Sequence, residues 1–177
     1  MQNSAERIPL PALVLICSLL FVVAAASAGT SKAKVPAPRF NATTTGGEKF
    51  NNDSIKGKVV LLEFWTTWCG YCLKEAGFVD RINDAYAKKG LVILAINVGE
   101  SKKTVKKYLA EHPRTTRIVL TDDTNLAAMF AAKSYPIYVV IDRDGNVAGE
   151  QRGAAGEGAL RDLLARGGLE DEEDDDK

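Results

Sequence analysis

With 177 residues and a mean hydropathy of −0.10, the chain has room for one packed domain plus appendages. Its 23 Lys and Arg balance 23 Asp and Glu, so no charge excess points to nucleic acid, and none is expected as a partner. Outside residues 1–28 and the stretch from Glu170 onward the count is 21 basic against 15 acidic, a net of +6, so a mildly basic domain carries an acidic tail.

From the start, Arg7 precedes an apolar run from Leu10 to Ala26, which closes on Ala26-Ser27-Ala28 before Gly29. A charged start, an apolar stretch and a small-x-small end form an export signal. Cleavage is favoured over retention as a membrane tether, because the run holds Ser18 and is barely long enough to span a bilayer. Cys17 follows Ile16 rather than a small residue, which argues against lipidation, and removal of residues 1–28 leaves two cysteines. Residues 29–39, with Pro36 and Pro38, read as a linker. Phe40 to Ile55 alternates around Gly46-Gly47 as a hairpin, and Asn41-Ala42-Thr43 and Asn52-Asp53-Ser54 are formal glycosylation sequons that matter only in a eukaryotic host.

Val59 to Trp65 is an almost unbroken apolar run, the signature of a strand buried on both faces of a sheet. Thr66 and Thr67 follow as a polar turn, then Cys69-Gly70-Tyr71-Cys72 opens a helix. Two thiols at this spacing can close a small disulfide and reopen it. Free backbone N–H groups and the positive end of the helix dipole stabilise a thiolate on Cys69, which makes it the nucleophile. Cys72, one turn inside, is shielded and resolves. The competing use of such a pair is half of a zinc site, which needs four ligands; His112 is the only histidine, and Cys17 sits in the export segment.

Leu73 to Lys89 continues the helix with Ala76, Val79, Ile82 and Tyr86 on one face and Gly90 as its stop. Leu91 to Val98 is a second buried strand, and Ser101 caps a helix to Glu111 that carries Lys102, Lys103, Lys106 and Lys107. These lysines read as a solvated face, with a docking face as the alternative. Arg117 to Leu120 is a strand, Thr124 to Ala132 a helix, and Ile137 to Asp142 a strand. Asp144-Gly145-Asn146 then turns into Val147 to Gln151, and a last helix runs from about Gly156 to Leu164. The pattern predicts an α/β fold, a mixed central sheet flanked by helices. The domain spans 40–166, and 167–177 is an acidic disordered tail.

The W-C-x-x-C after a hydrophobic strand resembles the thioredoxin superfamily. The stretch Lys56-Gly57-Lys58-Val59 to Cys69 and the layout from about Phe40 to Leu164 resemble its extracytoplasmic TlpA-like and ResA-like branch. The resemblance implies a thioredoxin fold with an N-terminal hairpin. It also implies that Pro136 is a cis-proline packing against a Cys69–Cys72 redox disulfide. Trp68, Gly70, Tyr71 and Tyr135 would then meet substrate, with extended segments pairing to the backbone beside Pro136. The position of Tyr135 is often a small residue in relatives. Glu63, six residues before Cys69, matches the buried acid that moves protons for the resolving thiol. The lysine that accompanies it in thioredoxin is replaced here by Ala95, so Glu63 is expected to lack its partner and to be protonated readily. Position 77, often a helix-kinking proline in relatives, is Gly77.

The expected activity is a protein thiol–disulfide oxidoreductase that needs no cofactor, a reductase first, with cytochrome c maturation as the setting the resemblance implies, and isomerase or oxidase as alternatives. Its partners would be cysteine-containing proteins and a membrane thiol–disulfide electron donor, its state a monomer, and its location extracytoplasmic, in the periplasm or tethered to the inner membrane. A non-catalytic peptide-binding module is disfavoured by the retained Cys69, Cys72, Trp68 and Pro136. A peroxiredoxin is disfavoured by the missing P-x-x-x-T-x-x-C pattern.

Overall fold

A computed structural model describes residues 34–169. Residues 1–28, read as an export signal, and 170–177 of the tail expected over 167–177 lie outside the described residues, whereas Gly167 to Leu169 are ordered against the last helix and Leu169 is buried in the core. The centre is β4 (Val59–Trp65), all seven residues of which are buried. It pairs in parallel with β5 (Leu91–Asn97) and antiparallel with β7 (Ile137–Ile141). Both partners are themselves wholly buried, so continuous apolar runs here report two covered faces.

The sheet extends outward through β8 (Asn146–Arg152) and β1 (Val35–Pro36) on one side. On the other lie β6 (Arg117–Thr124), β2 (Asn41–Thr44) and β3 (Lys49–Asn51), giving the order β1-β8-β7-β4-β5-β6-β2-β3. The hairpin expected over Phe40 to Ile55 is β2 and β3, turning through Gly47 at φ 90°. The linker expected over 29–39 instead enters the sheet, because Val35 and Pro36 pair with Val147 and Asn146, and the Ala37 N–H donates to the Gly145 carbonyl at 2.9 Å.

Alternation along β4 sorts its side chains. Val60, Leu62 and Phe64 face a layer made by Phe40, Phe50 and Ile55 of the hairpin region and by Leu126 of α3 (Leu126–Met129). Val59 and Leu61 face α1 (Gly70–Tyr86) and α4 (Gly156–Arg166), through Val79, Ile82, Leu160 and Leu163. Trp65 continues that face under α2 (Lys102–Glu111), against Val105. Each fully buried aliphatic side chain of this kind contributes about 1.5–3 kcal/mol relative to exposure.

α1 runs unbroken through Gly77 and tightens into a 3-10 turn at Ala87–Lys89. Gly90, at φ 87°, ends it in the left-handed region that glycine adopts without steric cost. The helix expected over Thr124 to Ala132 is shorter, for two reasons. Asp122 to Thr124 prolong β6, with Thr124 opposite Ala42, and after Met129 the chain turns through Ala131 at φ 47°. The Ala132 N–H then closes on the Ala127 carbonyl at 2.9 Å.

Candidate active site

At the carboxyl end of β4 the chain leaves the sheet at Trp65, and Cys69 becomes the N-cap of α1. The Cys72 N–H donates to the Cys69 sulfur at 3.1 Å, the place a capping oxygen takes in other helices. Cys69 and Cys72 form a disulfide, with Cα atoms 5.3 Å apart. Cys69 is 6% exposed and Cys72 only 1%, so Cys69 is the more accessible residue of the pair. A thiolate released on Cys69 would sit on the free N–H groups of the first turn, where negative charge is favoured.

Around this sulfur the surface is apolar and uncovered. Trp68 is 70% exposed and Tyr71 65% exposed. The Trp68 ring meets Tyr135 edge-on, with centroids 5.9 Å apart, and the Tyr135 hydroxyl donates to the Ala132 carbonyl at 3.2 Å. Tyr135 packs against the cluster that holds both cysteines. The Tyr135–Pro136 peptide bond is cis. The Pro136 carbonyl accepts from the Gly153 N–H at 2.8 Å, whereas among the described residues neither backbone group of Tyr135 bonds to another backbone group. An extended segment could therefore add there. Gly70 is exposed and has open space around its Cα.

The turn ahead of Cys69 is held by a residue that sequence reasoning missed. Glu100, between β5 and α2, accepts from the Thr67 N–H at 2.7 Å and from the Thr67 hydroxyl at 2.6 Å. It also accepts from the Asn97 amide at 2.7 Å. Nothing in the local pattern of Val98-Gly99-Glu100-Ser101 announces this clasp, because its partner lies 33 residues away.

Beneath the disulfide, the register places Glu63 of β4 between Ala95 and Tyr138. Glu63 is fully buried. The expectation that it lacks a partner is corrected, although Ala95 does stand where a lysine was looked for. Arg114, from the loop between α2 and β6, donates from Nη2 to Glu63 Oε2 at 3.0 Å, and its side chain is 5% exposed. The Arg114 Nε donates to both oxygens of Asp80, each at 3.0 Å, and the guanidinium lies over the Trp65 ring at 5.9 Å. The cation reaches the acid from a loop rather than from the neighbouring strand.

Burial nevertheless wins over this pairing. It lifts the Glu63 pKa above the ordinary carboxylate value, with Arg114 pulling the other way. Arg114 stays cationic between two acids. Glu63 Oε1 meets no hydrogen-bond donor.

A second buried carboxylate, Glu75, was also missed. It lies one turn beyond Cys72 on α1 and is 5% exposed. Its Oε2 accepts from the Tyr138 hydroxyl at 2.9 Å, and its Oε1 accepts from the N–H groups of Ala155 and Gly156 at 3.0 and 2.8 Å. Tyr138 is itself pushed up out of its normal range by burial and by the two carboxylates around it. A sequence signal existed, since position 75 falls on the inward stripe with Cys72, Val79 and Ile82.

A helix-capping disulfide, a cis-proline strand start and a buried acid in the central strand of a mixed sheet define a thioredoxin-fold redox protein. Residues 31–165 match the Redoxin family model, and the chain belongs to that family. A thiol-disulfide oxidoreductase ResA of Bacillus subtilis is 30% identical over 155 residues, covering 86% of this chain and 87% of that protein. The ResA of Bacillus anthracis is 30% identical over 131 residues, covering 72% and 76%. Among solved structures, a thiol:disulfide interchange protein of the thioredoxin family from Chlorobium tepidum superposes with a TM-score of 0.66 at 25% identity, over 76% of this chain and 96% of that one. StoA of Bacillus subtilis shares the fold, with a TM-score of 0.62 at 23% identity over 75% and 99%. The chain is thus a TlpA/ResA-like thiol–disulfide oxidoreductase.

Proposed function

We propose that this oxidoreductase reduces protein disulfides outside the cytoplasm. The observation that carries the reading is the Cys69–Cys72 disulfide at the N-terminus of α1, packed with Tyr135, whose backbone makes no backbone hydrogen bond among the described residues. In the reduced state the Cys69 thiolate attacks one sulfur of a substrate disulfide. A Cys69–substrate bond forms, and the other substrate sulfur leaves as a thiolate and takes a proton from water. Cys72 then gives up its proton and attacks the Cys69 sulfur. The internal disulfide closes, the second substrate sulfur leaves, and two electrons have passed from the dithiol to the substrate.

Glu63 is the group to which this reading assigns the Cys72 proton, directly or through water. Its burial, its raised pKa and its undonated Oε1 support that role. Trp68, Gly70, Tyr71 and Tyr135 provide the substrate-facing surface, and the backbone beside Pro136 the pairing edge. The oxidised pair needs two electrons from outside, for which a membrane dithiol carrier is the donor. Export through residues 1–28 supports the location, and cytochrome c maturation is the setting that the resemblance brings with it.

Equilibration of the pure protein against dithiothreitol or glutathione tests the direction. A potential near about −270 mV supports the reductase, and a value of about −120 to −180 mV replaces it with an oxidase or isomerase. Absence of a reversible two-electron couple removes the oxidoreductase reading.

A further inference from the structure

We infer that a groove along α2, at the same end of the sheet as the disulfide, docks an acidic segment of the redox partner protein that carries an apolar side chain; this rests on the oxidoreductase reading and names its partner's chemistry. Lys102, Lys103, Lys106 and Lys107 are all exposed, and none pairs with an acid among the described residues. Two of them occupy the first turn of α2, which contains no acidic residue, so they stand at the positive end of the helix dipole. Cations are disfavoured there, and the neighbouring acid, Glu100, is engaged by Thr67 and Asn97.

Lys102 and Lys106, one turn apart, rim a hollow of about 290 Å³ whose floor is Val105, Leu109 and Leu120. A second hollow shares Thr45 and Leu109 with it and runs on to Arg117. The first hollow has an apolar floor and a lysine edge, which complements an anionic segment with an apolar side chain, whereas in the second Arg117 is already paired with Glu48.

Its position ties it to the chemistry. Val105 packs in the same buried cluster as Cys69 and Cys72. The residue before the Ser101 cap is Glu100, which clasps Thr67 two residues ahead of Cys69. A segment in the groove therefore lies at the end of the sheet that carries the disulfide.

The test uses the full chain, reduced, and two disulfide-bonded probe peptides that share a leucine and differ in flanking Glu or Lys. At low salt the Glu probe should be reduced about tenfold faster than the Lys probe, and 0.5 M NaCl should erase the difference. Lys102→Glu with Lys106→Glu should bring the two rates together while leaving reduction of the small disulfide dithionitrobenzoate, and the equilibrium with dithiothreitol, as in the parent. Replacing the probe's leucine by serine should slow the Glu probe severalfold. A preference that survives the double substitution overturns the proposal. So does one that changes when residues 170–177 are removed, which would make the chain's own tail the occupant. Lysine-dependent binding to phosphatidylglycerol vesicles without a peptide preference assigns the face to a membrane instead. A parent that reduces neither the peptides nor the small disulfide removes the oxidoreductase reading itself.

Discussion

Glu63 and Glu75 are both buried carboxylates on the same face of the sheet, and Tyr138 stands beside both, yet the chain treats them in opposite ways. Glu75 is saturated: a tyrosine hydroxyl and two backbone N–H groups from the start of α4 fill its two oxygens. It fastens α1 to α4 and β7. Glu63 has a single donor, Arg114, on one oxygen and none on the other, and burial holds its proton affinity high. Equal burial thus yields one acid with every oxygen engaged and one with an oxygen left over, the acid to which we assign the proton exchange. What separates them is the number of donors, not depth.

The sharpest way to break this contrast is to remove the cation. Arg114→Leu leaves Glu63 and Asp80 facing each other without compensation and should cost about 3–5 kcal/mol in urea unfolding. Little loss would mean that Glu63 is already neutral when paired.

Glu75→Ala strands two N–H groups and a buried hydroxyl, and should cost about 3 kcal/mol, with hydrogen exchange rising first at the start of α4. Exchange that rises uniformly would deny Glu75 its fastening role.

Glu63→Gln should keep the fold but slow release of substrate from the mixed disulfide about 100-fold at neutral pH, with attack by Cys69 little changed. The same variant reports the proton affinity. The folded chain holds the Glu63 proton more tightly than the unfolded chain does, so this group's stabilising contribution is complete below the unfolded value of about 4.3 and fades as pH rises through the folded pKa. Subtracting the variant's unfolding curve from the parent's should expose that decline. A difference that grows with pH would place the Glu63 pKa below normal.

The smallest effect is expected at Tyr138→Phe. It removes one of the three donors to Glu75 and should cost about 1 kcal/mol in the same unfolding measurement. A larger loss would show that the hydroxyl also serves Glu63.

The contrast also shows what a sequence exposes. Val59 to Trp65 announces its burial by composition, and Cys69 and Cys72 stand at its exit, whereas Pro136 is singled out only by the resemblance. Glu63 stands out because an acid inside an apolar run needs a reason. Arg114 does not stand out, for it is one arginine in a polar loop, 51 residues from its partner, and only the crossing of β4 under that loop joins them. Glu100 and Thr67 are hidden in the same way, by a contact between two loops. Val35–Pro36 is a two-residue strand in a stretch whose prolines suggest none; it forms because the edge of β8 lies open beside it. Local periodicity carries elements, whereas pairings between loops belong to the folded chain.

The most direct test of the two-thiol account is trapping with Cys72→Ser. The reduced variant, mixed with a disulfide-bonded peptide and digested for mass spectrometry, should accumulate a mixed disulfide on Cys69 that is not resolved, whereas Cys69→Ser under the same conditions should form little adduct. Equal adduct on Cys72 in the second variant would contradict the assignment of Cys69 as the attacking sulfur.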